Sequence, residues 1–100
     1  MLPRNRTSSH PGIILWKEFL EPSQITQTFF AKHVGLSIQT INEIIKGKRN
    51  ITPESAWLFA KAFNTTPEFW MNLQMNYDLT VKKPVEKLKS LQAFKLPVAV

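Results

Sequence analysis

A chain of 100 residues, 43% apolar and with eleven aromatics, is long enough to close one core unaided, and its lack of cysteine excludes disulfide frameworks, thiol nucleophiles and cysteine-bound zinc. Thirteen Lys and Arg against seven Asp and Glu leave a net charge of +6, which favours a polyanionic partner. The longest apolar run near the start, Ile13 to Trp16, falls far short of the roughly 20 residues of a membrane span, and the opening residues lack a signal-peptide pattern, so a soluble cytoplasmic protein with no membrane segment is expected.

Residues 1–11, "MLPRNRTSSHP", are rich in proline and polar residues and have no period, which predicts a flexible N-terminal arm. From Ile13 to Leu20, apolar Ile14, Leu15, Phe19 and Leu20 recur at helical spacing until Pro22 ends the pattern, predicting a short first helix. Thr26 then offers an N-cap to "TQTFFAKHVG", a two-turn helix stopped by Gly35. Ser37 caps the next segment, where Ile38, Ile41, Ile44 and Ile45 follow at helical spacing and Gly47 terminates. Two Thr-Pro-Glu starts, at Thr52 and at Thr66, predict a fourth and a fifth helix, each with proline at its first position. In these two helices Trp57, Phe59, Phe63, Phe69, Trp70 and Leu73 have the spacing of side chains that close a core. Residues 80–100 form an extension, helical or flexible, broken at Pro84 and Pro97. The expected architecture is all-α, with five short helices, residues 12–79 making the folded domain.

Two short helices joined by a glycine-bearing turn form a helix-turn-helix pattern, whose second helix fits the DNA major groove. Here Thr26 to His33, the turn at Gly35 and Leu36, and Ser37 to Lys46 have that layout. With Ile41, Ile44 and Ile45 inward, Ser37, Gln39, Thr40, Asn42, Glu43 and Lys46 are left on the outer side, mostly as hydrogen-bonding groups suited to base edges and phosphates. Gln27 opens the first helix of the pair, where backbone amides and its side chain can grip a phosphate. Gln39 suits adenine, Ile38 and Thr40 suit a thymine methyl, and Lys46, Lys48 and Arg49 suit the phosphate backbone. Each residue alone also fits a solvated helix surface, and the basic turn fits a helix C-terminus that favours cations; the combination favours double-stranded DNA.

Nothing in the chain points to catalysis. His10 falls in the arm and His33 at a helix end, Asp78 is the sole aspartate, and the three glycines make no phosphate loop, so neither an enzyme nor a metal or cofactor site is expected. The basic run from Lys82 to Lys89 reads as a solvated helix face or a second electrostatic contact.

From His10 to Leu79 the sequence resembles the HigA and VapI-like antitoxins of bacterial toxin-antitoxin modules, XRE-type helix-turn-helix proteins. The resemblance is carried by "HPG" at 10–12, "EFLEP" at 18–22, "TQTFFAKHVGLSIQTINEIIKGKRNITPE" at 26–54 and "TPEFWMNLQMNYDL" at 66–79. It implies a five-helix, lambda-repressor-like domain that forms a homodimer, binds a palindromic operator, represses its own operon and neutralises a HigB-like, mRNA-cleaving toxin. By position, Gln27, Ser37, Gln39 and Thr40 match the family's DNA-contacting pattern, and Lys46, Lys48 and Arg49 its basic turn. Ile38 and Glu43 depart from it, standing where relatives often carry arginine; Ile13, Trp16 and Leu58 are apolar where relatives are often polar. The competing expectations are a stand-alone regulator without a toxin, and a protein-binding module that has lost DNA affinity.

Overall fold

The computed structural model describes residues 9–97, and within that range it is all-helical. Helix α1 opens as an α-helical turn, Pro11–Ile14, and continues unbroken as a π-helical segment, Leu15–Leu20. It is followed by α2 (Gln27–Val34), α3 (Ile38–Ile45), α4 (Pro53–Phe63), α5 (Pro67–Val81) and α6 (Val85–Ser90).

Capping side chains fix where these helices begin. Thr26, Ser37, Thr52 and Thr66 each accept the backbone N–H three residues on, supplying a partner to a donor that the helix itself leaves unpaired. At Thr52 the bond is reciprocal, because the Ser55 hydroxyl accepts from the Thr52 N–H at 2.8 Å. The helix ends share a second device. Gly35, Gly47 and Asn64 take left-handed backbone (φ 78°, 76° and 57°), and the next residue donates back to a carbonyl five positions earlier: Leu36 to Ala31, Lys48 to Glu43, Thr65 to Ala60.

Leu15 and Leu20 of α1, Phe30 and Ala31 of α2, Ile41 and Ile44 of α3, Ala56, Phe59 and Ala60 of α4 and Trp70 of α5 form one buried cluster together with Ile51. Leu15 and Leu20 are five residues apart, yet both are fully buried; the wider π-helical turn, marked by Glu21 N–H donating to the Trp16 carbonyl at 2.8 Å, brings them to one side. Trp70 sits at the centre. It meets Phe59 edge-on at 5.3 Å and Phe19 at 5.1 Å between ring centres, and its indole N–H donates to the Thr65 hydroxyl at 2.9 Å.

Several expectations are revised. A sixth helix, α6, lies in the extension, with every described residue from Leu79 onward exposed. His10 and Pro11, assigned to the arm, are buried: the His10 ring caps α1, its Nδ1 accepting the Gly12 N–H at 2.9 Å, and Pro11 is the first helical residue. Residues 1–8 of that arm lie outside the described range. Trp57 is not core, being 66% exposed, because it falls about 100° around α4 from Ala56, beside the Ala56, Phe59 and Ala60 stripe. Phe69, 38% exposed, lies at the edge of the core, with edge-on contacts to Trp70 at 5.1 Å and Phe19 at 6.1 Å. Phe63 and Leu73 are half-buried against the cluster. Ile13 is exposed, whereas Trp16 and Leu58 pack partly against the core. No helix among the described residues is long and apolar enough to cross a membrane.

Candidate nucleic-acid interface

The reversal at Gly35 sets α3 directly after α2, and the Ser37 cap leaves the first turn of α3 facing outward, with Ser37, Ile38 and Gln39 exposed. The Ser37 and Thr40 hydroxyls are 2.8 Å apart, and Ser37 Oγ also accepts the Thr40 N–H at 3.0 Å. These two hydroxyls therefore hold each other at the tip of α3. Ile38 is 46% exposed, an apolar group outside the buried cluster. Ile41 and Ile44 are fully inside, and Ile45 half-buried, so the stripe predicted for this helix lies where the spacing put it.

Gln27 and Asn42 meet across the two helices. Asn42 Nδ2 donates to Gln27 Oε1 at 3.2 Å, which occupies the acceptor end of the Gln27 amide and leaves its N–H groups for an outside acceptor. Asn42 is thus half-buried as a brace between α2 and α3, rather than an outward group.

Beyond α3, left-handed Gly47 turns the chain so that Lys46, Lys48 and Arg49 are all exposed. Lys46 and Lys48 form no ion pair with the described residues, but Arg49 does: Nη2 and Nε donate to Glu43 Oε1 at 2.6 and 2.9 Å. The other carboxylate oxygen of Glu43 accepts from Gln39 Nε2 at 3.1 Å. These bonds, Arg49 first, hold the Glu43 carboxyl below the ordinary carboxylate range. All ten predicted residues consequently lie on α2, α3 and the turn after it, with Glu43 joined to both Gln39 and Arg49.

Behind this turn lies buried support from Gln74 and His10, neither of which the sequence patterns single out for that role. Gln74 of α5 accepts the Ile51 N–H at 2.6 Å and donates to Asn50 Oδ1 at 3.2 Å and Asp78 Oδ1 at 3.1 Å, so one amide ties α5 to the segment between α3 and α4. Its four-residue distance from Trp70 was the available signal, since that spacing puts it on the buried face. His10 is the second support. Its ring packs edge-on against Tyr77 at 4.9 Å and lies beneath Gly47; burial lowers its pKa, against the raising influence of Asn50 and Asp78. Gly12, next to it, lets α1 approach the carbonyl of Ile44 so closely that a Cβ would fall 1.7 Å from that oxygen.

Residues 17–70 match the helix-turn-helix family model. Over 78 residues the chain is 41% identical to virulence-associated protein A' of Dichelobacter nodosus, a span covering 77% of this chain and 67% of that protein. Among solved structures it is similar to an addiction module antidote protein of the HigA family from Coxiella burnetii, with a TM-score of 0.82 at 36% identity over 89% of this chain and 100% of that one. It is also similar to the Pseudomonas aeruginosa antitoxin HigA with the higBA promoter, with a TM-score of 0.78 at 30% identity over 91% of this chain and 99% of that one. The chain belongs to the helix-turn-helix family, among the HigA-type antitoxins.

Proposed function

We propose that the protein binds operator DNA in the cytoplasm as a homodimer, represses its own operon, and holds a HigB-like, mRNA-cleaving toxin inactive by binding it rather than by catalysis. The observation that carries the DNA-binding part is the surface of α3: exposed Ser37, Ile38 and Gln39 at its tip, and exposed Lys46 and Lys48 beyond its end, on a fold similar to a HigA solved with promoter DNA. Gln39 and Ile38 supply base-edge and methyl contacts, while Gln27, Lys46 and Lys48 hold phosphates. Two half-sites about one DNA turn, roughly 34 Å, apart would double the few contacts that one such helix makes. The dimer part is supported by Met75, Leu79, Val81, Val85 and Leu88, which leave α5 and α6 with an exposed apolar run of the kind that interfaces cover.

The test is a titration of the full chain against DNA from upstream of its own gene and against random duplex. Gln39→Ala costs on the order of 1 to 3 kcal/mol on the upstream DNA and much less on random duplex. Equal binding to both duplexes by the unaltered chain refutes operator recognition. Copurification with the product of the neighbouring gene tests the toxin part; if that fails while DNA binding persists, the protein is a stand-alone regulator.

A further inference from the structure

Gln39 and Glu43 are four residues apart on α3, hence neighbours on one face. Arg49 is distant along the helix axis, but the Gly47 reversal, closed by the Lys48 N–H on the Glu43 carbonyl at 2.8 Å, returns it to the same spot. One carboxylate therefore serves both: Oε2 takes Gln39 Nε2 at 3.1 Å, and Oε1 takes the Arg49 guanidinium at 2.6 and 2.9 Å. A carboxylate only accepts, so the nitrogen of the Gln39 amide must face it and the amide oxygen must face away. One amide N–H and the oxygen remain outward. That donor and acceptor pair is the complement of the N7 and N6 groups of adenine in the major groove. Arg49, with two of its nitrogens on Glu43, has its charge cancelled locally and its reach toward phosphate reduced.

We infer that Glu43 is the positioning residue that sets base preference in α3: it fixes the Gln39 amide in the orientation that reads adenine, and holds Arg49 back from the DNA backbone. The inference rests on the operator-binding reading above. The acidic side chain thereby acts on what the helix reads, through the orientation of the neighbouring amide.

The test selects preferred sites from a randomised duplex library with the full chain and with Gln39→Ala, Glu43→Ala and Glu43→Gln, circular dichroism confirming helix content. Gln39→Ala erases an adenine preference at one position per half-site. Glu43→Ala weakens preference at that same position by at least about fivefold while the others persist, as expected for the loss of one arm of a bidentate contact. Glu43→Gln keeps an oxygen acceptor and so retains the preference. In both Glu43 variants the freed Arg49 steepens the salt dependence of binding, by about 0.9 in log–log slope per half-site. The inference is overturned if Glu43→Ala leaves the Gln39-dependent position intact, or if that position does not select adenine. If the unaltered chain enriches no site, operator recognition itself falls and the inference with it.

Discussion

Gly12→Ala is the smallest change with a large expected effect. The added Cβ would lie 1.7 Å from Ile44 O, 2.6 Å from Ile44 C and 2.9 Å from Ile45 Cα. All three are backbone atoms, so no rotamer change relieves the overlap, and α1 must retreat from α3 by roughly 1.5 Å to restore ordinary contact. Overpacking of this kind costs about 1 to 3 kcal/mol, and a clash against helix backbone belongs at the upper end. Alanine returns about 0.5 to 1 kcal/mol through its better helix propensity. The net expectation is a loss of about 2 kcal/mol, equivalent to a fall in Tm of about 8 to 16 °C for a domain of this size. Urea unfolding followed by circular dichroism measures it, as a lower midpoint with an unchanged m-value. A midpoint that stays in place or rises would show that α1 does not depend on this close approach, and the account of the α1–α3 contact would be wrong.

Gly35→Ala tests the opposite case, because nothing lies within 4 Å of its Cβ position but its φ is 78°; the expected loss is about 1 to 2 kcal/mol, from the left-handed backbone alone, with Gly35→Asn milder. Gln74→Leu removes the acceptor of the buried Ile51 N–H and should lower stability by about 1 to 3 kcal/mol, with faster hydrogen exchange at Ile51. Burial holds the His10 pKa below the ordinary histidine value of about 6.5, so the folded state binds fewer protons than the unfolded one; stability is full above about pH 6.5 and declines as pH falls from there toward the folded pKa. In His10→Asn, which can still cap α1, the unfolding midpoint should vary less between pH 7.5 and 5. Trp57→Ala, at a side chain 66% exposed, should change stability by less than about 0.5 kcal/mol in the same urea assay.

Where the sequence was legible, the reason is local. Thr26, Ser37, Thr52 and Thr66 announce helix starts because each acts on a backbone amide only three residues away, and Pro53 and Pro67 strengthen two of them. The apolar stripe of α3 is legible for the same reason, as Ile41 and Ile44 differ by one helical turn. What escaped depends on distant neighbours. Nothing next to His10 in the chain reveals that Tyr77 and Gly47 enclose it, so its proline-rich surroundings read as an arm. Trp57 has nearly the spacing of a core residue, yet lies beside the Ala56, Phe59 and Ala60 stripe, and which flank is covered depends on the helices packed there. In the sequence Glu43 stands out only as an acidic residue on the outer side of α3. Its pairing with Arg49 spans six residues and exists only because Gly47 reverses the chain, a spacing that no helical pattern contains.

The π-helical segment of α1 stores a residue that the helix can lose. A π turn holds one residue more than the α turn it replaces. Deleting one residue between Leu15 and Leu20 would let the segment revert to α-helical pairing with these two leucines four apart, still on one side, and the residues before it would keep their phase around the helix axis. Gly12 would then stay against the Ile44 carbonyl, and His10 against Tyr77. Around Lys83 and Pro84, where all side chains are exposed, a residue gained or lost would disturb nothing packed. In lineages descended from such a chain, length changes should therefore accumulate between α5 and α6, and α1 should tolerate the loss of a single residue at its π turn and nowhere else along its packed face.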